Sequence, residues 1–264
     1  MTLLDTLNRR PTALAADPGV AVRLTGVTKR FGEGPVVLDD ISLTVGEGEF
    51  VCLLGASGCG KSTLLNLVAG LDSPTAGEVT VPGGRSALMF QESALLPWLT
   101  AAQNVELALR LRGVARRERR ARAGELLELV RLRDAGGKRV HELSGGMRQR
   151  VAMARALAQE TGVLLMDEPF AALDAITRDV LHEELARLRT SQALTVVFVT
   201  HNVREAVRLG DRVVLLSSRP GRIAQEYPIA IDAPRRIESP DVARLSLQIT
   251  EDLRAEIRRH GGQP

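Results

Sequence analysis

Residues Gly55-Ala56-Ser57-Gly58-Cys59-Gly60-Lys61-Ser62 have the spacing of a phosphate loop: a glycine, four residues, then Gly-Lys-Ser. Glycines let successive backbone N–H groups turn toward one anion, and a helix starting there adds the positive end of its dipole. An apolar run at 50–54 leads in and a helical pattern at 62–71 leads out, which is the context the motif requires. Gly55, Ala56, Ser57, Gly58, Cys59 and Gly60, with Thr63 just beyond, are therefore candidate nucleotide-binding residues. Lys61 would reach the β- and γ-phosphates, and the Ser62 hydroxyl would ligate Mg2+. With 24 glycines in 264 residues, this pattern arises by accident roughly 0.3% of the time.

Other groups fit the same chemistry. Val163-Leu164-Leu165-Met166 is an apolar strand ending in Asp167-Glu168, so two carboxylates emerge where ligands sit in open α/β sheets. Asp167 can hold Mg2+ through water, and Glu168 is placed to polarise an attacking water. His201 closes the apolar run at 195–200 and would face the same crevice, within reach of a γ-phosphate. Gln91 ends the strand-like run at 87–90, and its neutral amide can touch both a metal ion and a water. Leu143-Ser144-Gly145-Gly146-Met147 reads as a second anion-binding helix start: Ser144 is a good N-cap, and the glycines bare their backbone N–H groups.

Elements that could position these groups follow from periodicity. Short β-branched runs at 20–25, 36–45, 50–54, 78–81, 87–90, 163–166, 195–200 and 213–216 are bounded by Gly, Pro or Asp. Helical patterns separate several of them, which predicts an α/β fold with a mainly parallel sheet. The first strands follow one another without helices, predicting an antiparallel portion near the N-terminus. Residues 100–139 read as helical throughout, with Gly113 as a break. The expected organisation is a flexible tail at 1–19, a sheet-containing domain at 20–235 with a helical subdomain at about 92–160, and a helical extension at 236–264. Val242, Leu245, Ile249, Leu253 and Ile257 form the apolar stripe expected of that last helix.

Composition narrows the class. Apolar residues make up 44% and charged residues 25%, as in an ordinary globular chain. The two cysteines, Cys52 and Cys59, exclude a disulfide-stapled scaffold. No apolar run approaches the ~20 residues of a membrane-spanning helix, and Arg9, Arg10 and Pro11 stand where a signal peptide needs its apolar stretch. The net charge of +3 hides an arginine cluster, Arg110, Arg112, Arg116, Arg117, Arg119, Arg120 and Arg122. No aromatic residue lies between Trp98 and Phe170 to stack on bases, so this cluster reads as a solvated helix face and no nucleic-acid partner is expected.

The set formed by the phosphate loop, Gln91, residues 143–147, Asp167-Glu168, Ala172-Leu173-Asp174 and His201 resembles, in order and spacing, the ATP-binding-cassette ATPases over residues 20–223. Residues 94–100, 175–179 and 217–223 are similar to the ATPase subunits of nitrate, sulfonate and taurine importers. The resemblance implies a P-loop ATPase fold with an N-terminal antiparallel β portion and an inserted helical subdomain, acting with ATP and Mg2+. Phe31 would stack on adenine where the family more often has Tyr. Ser144 and Gly146 would grip the γ-phosphate held by Lys61 of a second chain, in a homodimer that sandwiches two ATPs. Asp174 would lie at the seam, while Gln91 and residues 93–100 would sense one of two transmembrane permease subunits. A solute-binding protein would deliver the substrate, and the chain would sit on the cytoplasmic face of the cell membrane. Met147 replaces the usual Gln and Ala172 the usual Ser, and neither change removes a catalytic group. Three rivals are a DNA- or ribosome-associated cassette ATPase, an exporter subunit, and a nucleotide-binding switch that does not hydrolyse. The first would carry coiled-coil insertions or tandem cassettes, and Glu168 with His201 argues against the last.

Overall fold

The computed structural model describes residues 19–232 and 235–260; the expected tail at 1–19 lies almost wholly outside them. In chain order the elements are β1 (Val20–Arg30), β2 (Val36–Gly46), β3 (Phe50–Gly55), α1 (Lys61–Val68), β4 (Ala76–Thr80), β5 (Ser86–Met89), α2 (Ala101–Leu111), α3 (Arg116–Leu129), α4 (Gly145–Leu157), β6 (Val163–Asp167), α5 (Ala175–Gln192), β7 (Thr195–Val199), α6 (Val203–Leu209), β8 (Arg212–Leu216), β9 (Ile223–Pro228) and α7 (Pro240–His260). Short 3-10 turns cover Arg133–Ala135 and Val140–Glu142.

Two sheets carry the architecture. β2, β1 and β4 pair antiparallel, and β5, β6, β7, β3 and β8 run parallel in that order with β9 antiparallel at the edge. β3, β6 and β7 are buried along their whole length. That is why they read as unbroken apolar runs rather than alternating ones. Phe198 of β7 packs against Phe50 at 5.6 Å and Phe170 at 5.7 Å between ring centroids, filling the space on one face of the sheet.

Parallel order sets function, because β3, β5, β6 and β7 all release their C-terminal residues on one edge. The phosphate loop follows β3, Gln91 follows β5, Asp167 ends β6 and His201 follows β7. α2, α3 and α4 are all inserted between β5 and β6. They close on the main core through Val105, Leu109, Ala123, Leu127, Val151 and Met153, all buried in one apolar cluster. The arginine-rich α3 exposes Arg116, Arg117 and Arg120, while Arg122 pairs with Glu118 at 3.2 Å and Glu160 at 3.4 Å.

Three sequence expectations need correction. The expected strands do not include β9, whose residues 224–226 are exposed on an edge strand with Gln225 and Glu226 polar. The segment expected to be helical to residue 139 ends its last α-helix at Leu129 and continues in 3-10 turns. On α7, Val242 and Ile249 are fully buried, but Ile257 is 44% exposed while Glu256 is buried in its place.

Candidate functional site

Four helices begin on a side-chain cap: Thr100 for α2, Ser144 for α4, Asp174 for α5 and Asn202 for α6. α1 begins on Gly60 at φ +99°, with no side-chain cap and no acidic residue in its first turn. A helix start without its own carboxylate or hydroxyl cap is suited to an external anion. Lys61 sits at this start, only 8% exposed, and its Nζ donates to the carbonyls of Gly55 and Ala56, both at 2.9 Å. The Cys59 thiol lies 3.7 Å from the same ammonium and is buried.

The loop is braced from outside. Gly221 donates to the Val37 carbonyl at 2.9 Å and accepts from Asp39 N–H at 3.0 Å, which presses it onto the loop. A Cβ added at Gly221 would lie 2.2 Å from the Cys59 carbonyl oxygen. Gly221→Ala must therefore displace the phosphate loop although no loop residue changes. The expected result is at least about tenfold weaker ATP binding with a stability loss of about 1–3 kcal/mol, the usual cost of overpacking. Titration with a fluorescent ATP analogue and urea unfolding measure both; unchanged nucleotide affinity would show that the loop is not braced here.

Ser62 stands near the acidic strand end. Its hydroxyl lies near enough to the Asp167 carboxylate to favour the ionised form. Burial pushes the Asp167 carboxyl above its ordinary pKa and the nearby Glu168 charge adds to this, while the Ser62 hydroxyl and Lys61 pull the other way. Two hard oxygens side by side, one anionic, match the preference of Mg2+ for a carboxylate, a hydroxyl and phosphate oxygens over a full protein cage. Among the described residues no group of three or more His, Cys, Asp or Glu could hold a metal without such help.

Glu168 adopts φ +46°, a left-handed conformation uncommon outside glycine, with its N–H donating to the Val199 carbonyl at 3.0 Å. Strain of this kind concentrates where a side chain must be aimed. Its Oε2 lies 3.2 Å from Nδ1 of His201, whose ring is 69% exposed. The phosphate loop, Ser62, Asp167, Glu168 and His201 thus gather on one edge of the sheet.

The remaining candidates stand elsewhere. The Gln91 side chain is exposed beyond β5, while its backbone carbonyl accepts from Gln149 Nε2 of α4 at 3.2 Å. Arg155 of α4 donates to the next carbonyls, Ser93 at 3.1 Å and Ala94 at 2.8 Å. Neither Gln149 nor Arg155 was singled out from sequence, since backbone carbonyls 58 to 62 residues away leave no motif. Ser144 Oγ accepts from Met147 N–H at 3.2 Å, and Leu143 is buried behind it. Gly145 is open, whereas a Cβ on Gly146 would meet Leu173 Cδ2 at 3.1 Å and the Ala172 carbonyl at 3.2 Å. The helix start therefore packs closely on the loop leading to Asp174, whose carboxylate accepts from Thr177 N–H at 2.9 Å and is held below its usual pKa by that bond. Phe31 presents a half-exposed ring beyond β1, with Lys29 Nζ 4.8 Å from its centroid.

A phosphate loop on a parallel sheet, with an acidic strand end and a carboxylate–histidine pair on the same edge, defines a P-loop nucleotide hydrolase. The ABC transporter family model matches residues 38–171. A taurine import ATP-binding protein of Sinorhizobium fredii is 49% identical over 77% of this chain and 79% of its own length. An aliphatic sulfonates import ATP-binding protein of Agrobacterium fabrum is 46% identical over 91% of this chain and 86% of its own. The solved ATP-binding cassette MJ0796, in a dimeric post-hydrolysis state bound to ADP and Pi, superposes with a TM-score of 0.73 at 36% identity, over 80% of this chain and 100% of that one. The chain belongs to the ABC transporter family, and within it to the ATPase subunits.

Proposed function

We propose that this chain is the ATP-hydrolysing subunit of an ABC importer for a small anion, with taurine, an aliphatic sulfonate or nitrate as candidates. The observation that carries the hydrolytic reading is the Glu168–His201 pair, 3.2 Å apart, at the strand end that follows Asp167. Relatives named for taurine and sulfonate import support the transport reading.

In this reading the N-terminus of α1 and Lys61 hold the β- and γ-phosphates, with Gly55 to Gly60 and Thr63 lining the cradle and Phe31 stacking on the base. Ser62 and Asp167, with Gln91, hold Mg2+. When bound there, the ion would supply positive charge that offsets the charge growing on the phosphoryl oxygens. Glu168 accepts a hydrogen bond, and then the proton, from the attacking water, and His201 donates to the γ-phosphate while fixing the Glu168 carboxylate. Leu143, Ser144, Gly145, Gly146 and Met147 of one chain complete the site of a second chain, and Asp174 lies at the seam between them. The dimeric cassette to which this chain is similar supports that arrangement.

The proposed organisation is an ATPase domain at 20–235, with a helical subdomain at about 92–160, and an extension at 236–264. Two permease subunits would receive the motion near Gln91, whose carbonyl is tied to α4. No helix among the described residues is long and apolar enough to cross a membrane, so spanning segments would come from those partners. The chain would work on the cytoplasmic face, with a solute-binding protein acting from the other side.

Chromosomal replacement of Glu168 by Gln in the source organism tests the importer reading. Uptake of one labelled solute among taurine, alkanesulfonates and nitrate is expected to be lost. Unchanged uptake of all of them would overturn the substrate class.

A further inference from the structure

A chain of buried polar side chains runs behind His201 and has no part in the chemistry described so far. Thr200, Glu205 and His182 are only 2%, 5% and 1% exposed. Thr200 Oγ1 donates to Glu205 Oε2 at 2.5 Å and accepts from Asn202 N–H at 3.0 Å. One hydroxyl thereby bonds the residue after His201 and anchors the residue before it. Glu205 turns its other oxygen, Oε1, to His182 Nε2 at 2.8 Å. Arg208 Nη1 lies 3.4 Å from His182 Nδ1 and pairs with Asp179 at 2.6 Å. Since guanidinium only donates, Nδ1 accepts and the Nε2–H points at Glu205. Asn202 also caps α6 through its side chain, accepting from Arg204 and Glu205 N–H groups at 3.1 and 3.3 Å.

Geometry at His201 depends on this clip. The imidazole is itself 69% exposed, and among the described residues its side-chain bond is the 3.2 Å contact to Glu168, so its own packing does little to fix it. Its backbone is what is held. On the Glu168 side, the Phe170 ring meets the His182 ring edge-on at 4.9 Å between centroids. The same buried histidine thus stands behind both members of the Glu168–His201 pair, on the helix that starts at Asp174. Buried polar groups with every bond satisfied specify one arrangement, because a partial set costs more than none.

We infer that Thr200 and Glu205 are positioning residues for His201, holding its backbone so that Nδ1 meets Glu168, with His182 anchoring Glu205 to α5. This rests on the hydrolytic role of His201 given above. Thr200→Val, of nearly the same shape, removes the hydroxyl; in the full purified chain it lowers kcat roughly tenfold with KM within about twofold, since a displaced catalytic group costs rate before binding. Thr200→Ser restores kcat to within about twofold of wild type. In a His201→Ala background, Thr200→Val causes no further loss, because there is no imidazole left to position. Glu205→Leu reproduces the loss and is not additive with Thr200→Val. Thermal unfolding and fluorescent ATP-analogue binding confirm that each variant is folded.

Wild-type kcat in Thr200→Val, while His201→Ala is impaired, would overturn the positioning role and leave the hydrolytic role of His201 intact. A loss of equal size with and without His201 would also overturn it, since the clip would then serve the fold alone. Wild-type kcat in His201→Ala would remove the reading beneath it.

Discussion

Glu168→Gln is expected to lower ATP turnover by about 10²–10⁴-fold, the range that general-base groups contribute, while leaving ATP tightly bound. Glutamine keeps the length of the side chain and can still bond His201 at the 3.2 Å separation, so the left-handed turn at φ +46° is not disturbed. What is lost is the anionic oxygen that draws a proton from water. Binding groups lie on other elements: Lys61 on α1 and Ser62 beside Asp167. On the proposed two-chain site, in which bound ATP closes the dimer and hydrolysis reopens it, the variant should accumulate as an ATP-loaded dimer. Release of labelled phosphate in a single turnover, with the nucleotide content and mass of the complex, measures all three. Turnover within tenfold of wild type would move the base elsewhere.

Lys61→Met should act on the other half of the cycle. The ammonium is buried and its hydrogen bonds go to two loop carbonyls at 2.9 Å, so it already stands over the anion cradle. Removing one member of a buried, charge-assisted contact costs about 2–5 kcal/mol, or roughly 30- to several-thousand-fold in affinity. ATP binding should weaken by that factor, whereas adenosine, which lacks phosphates, should be unaffected. Equal weakening of both ligands would mean that Lys61 supports the loop rather than the phosphates.

Much of this site can be read from residue order alone, for a physical reason. Strands buried on both faces leave unbroken apolar runs, and β3, β6 and β7 are three such strands. Chemistry at a strand end is then marked by the first polar residue after the run, as with Asp167 and His201. Helix caps are local too, so Ser144 and Asp174 carry their signal within three residues. β1 was legible only to Thr25, because Gly26 at φ +56° and register shifts interrupt the alternation before Arg30.

Long-range polar bonds have no such trace. His182 and Glu205 are 23 residues apart on separate helices, and each passes for an ordinary surface charge until burial is known. Glu256 misleads in the same way: an acidic residue on a helix reads as solvated, yet it is buried while neighbouring Ile257 faces outward. Gln149 and Arg155 bind carbonyl oxygens, which every residue possesses, so nothing about residues 91–94 announces the contact.

In the proposed assembly each catalytic site is built from two chains, Lys61 and Glu168 from one and Ser144 from the other. Mixing two inactive variants tests it most directly. Lys61→Met lacks a working phosphate loop but keeps its signature helix start, and Ser144→Arg has the reverse defect. In a heterodimer one site carries both defects and the other carries none. At equal concentrations half the dimers are mixed, so ATPase activity should recover to about one quarter of wild type if sites fire independently. Activity that stays at the level of the separate variants, in a mixture shown to exchange subunits, would contradict the shared site.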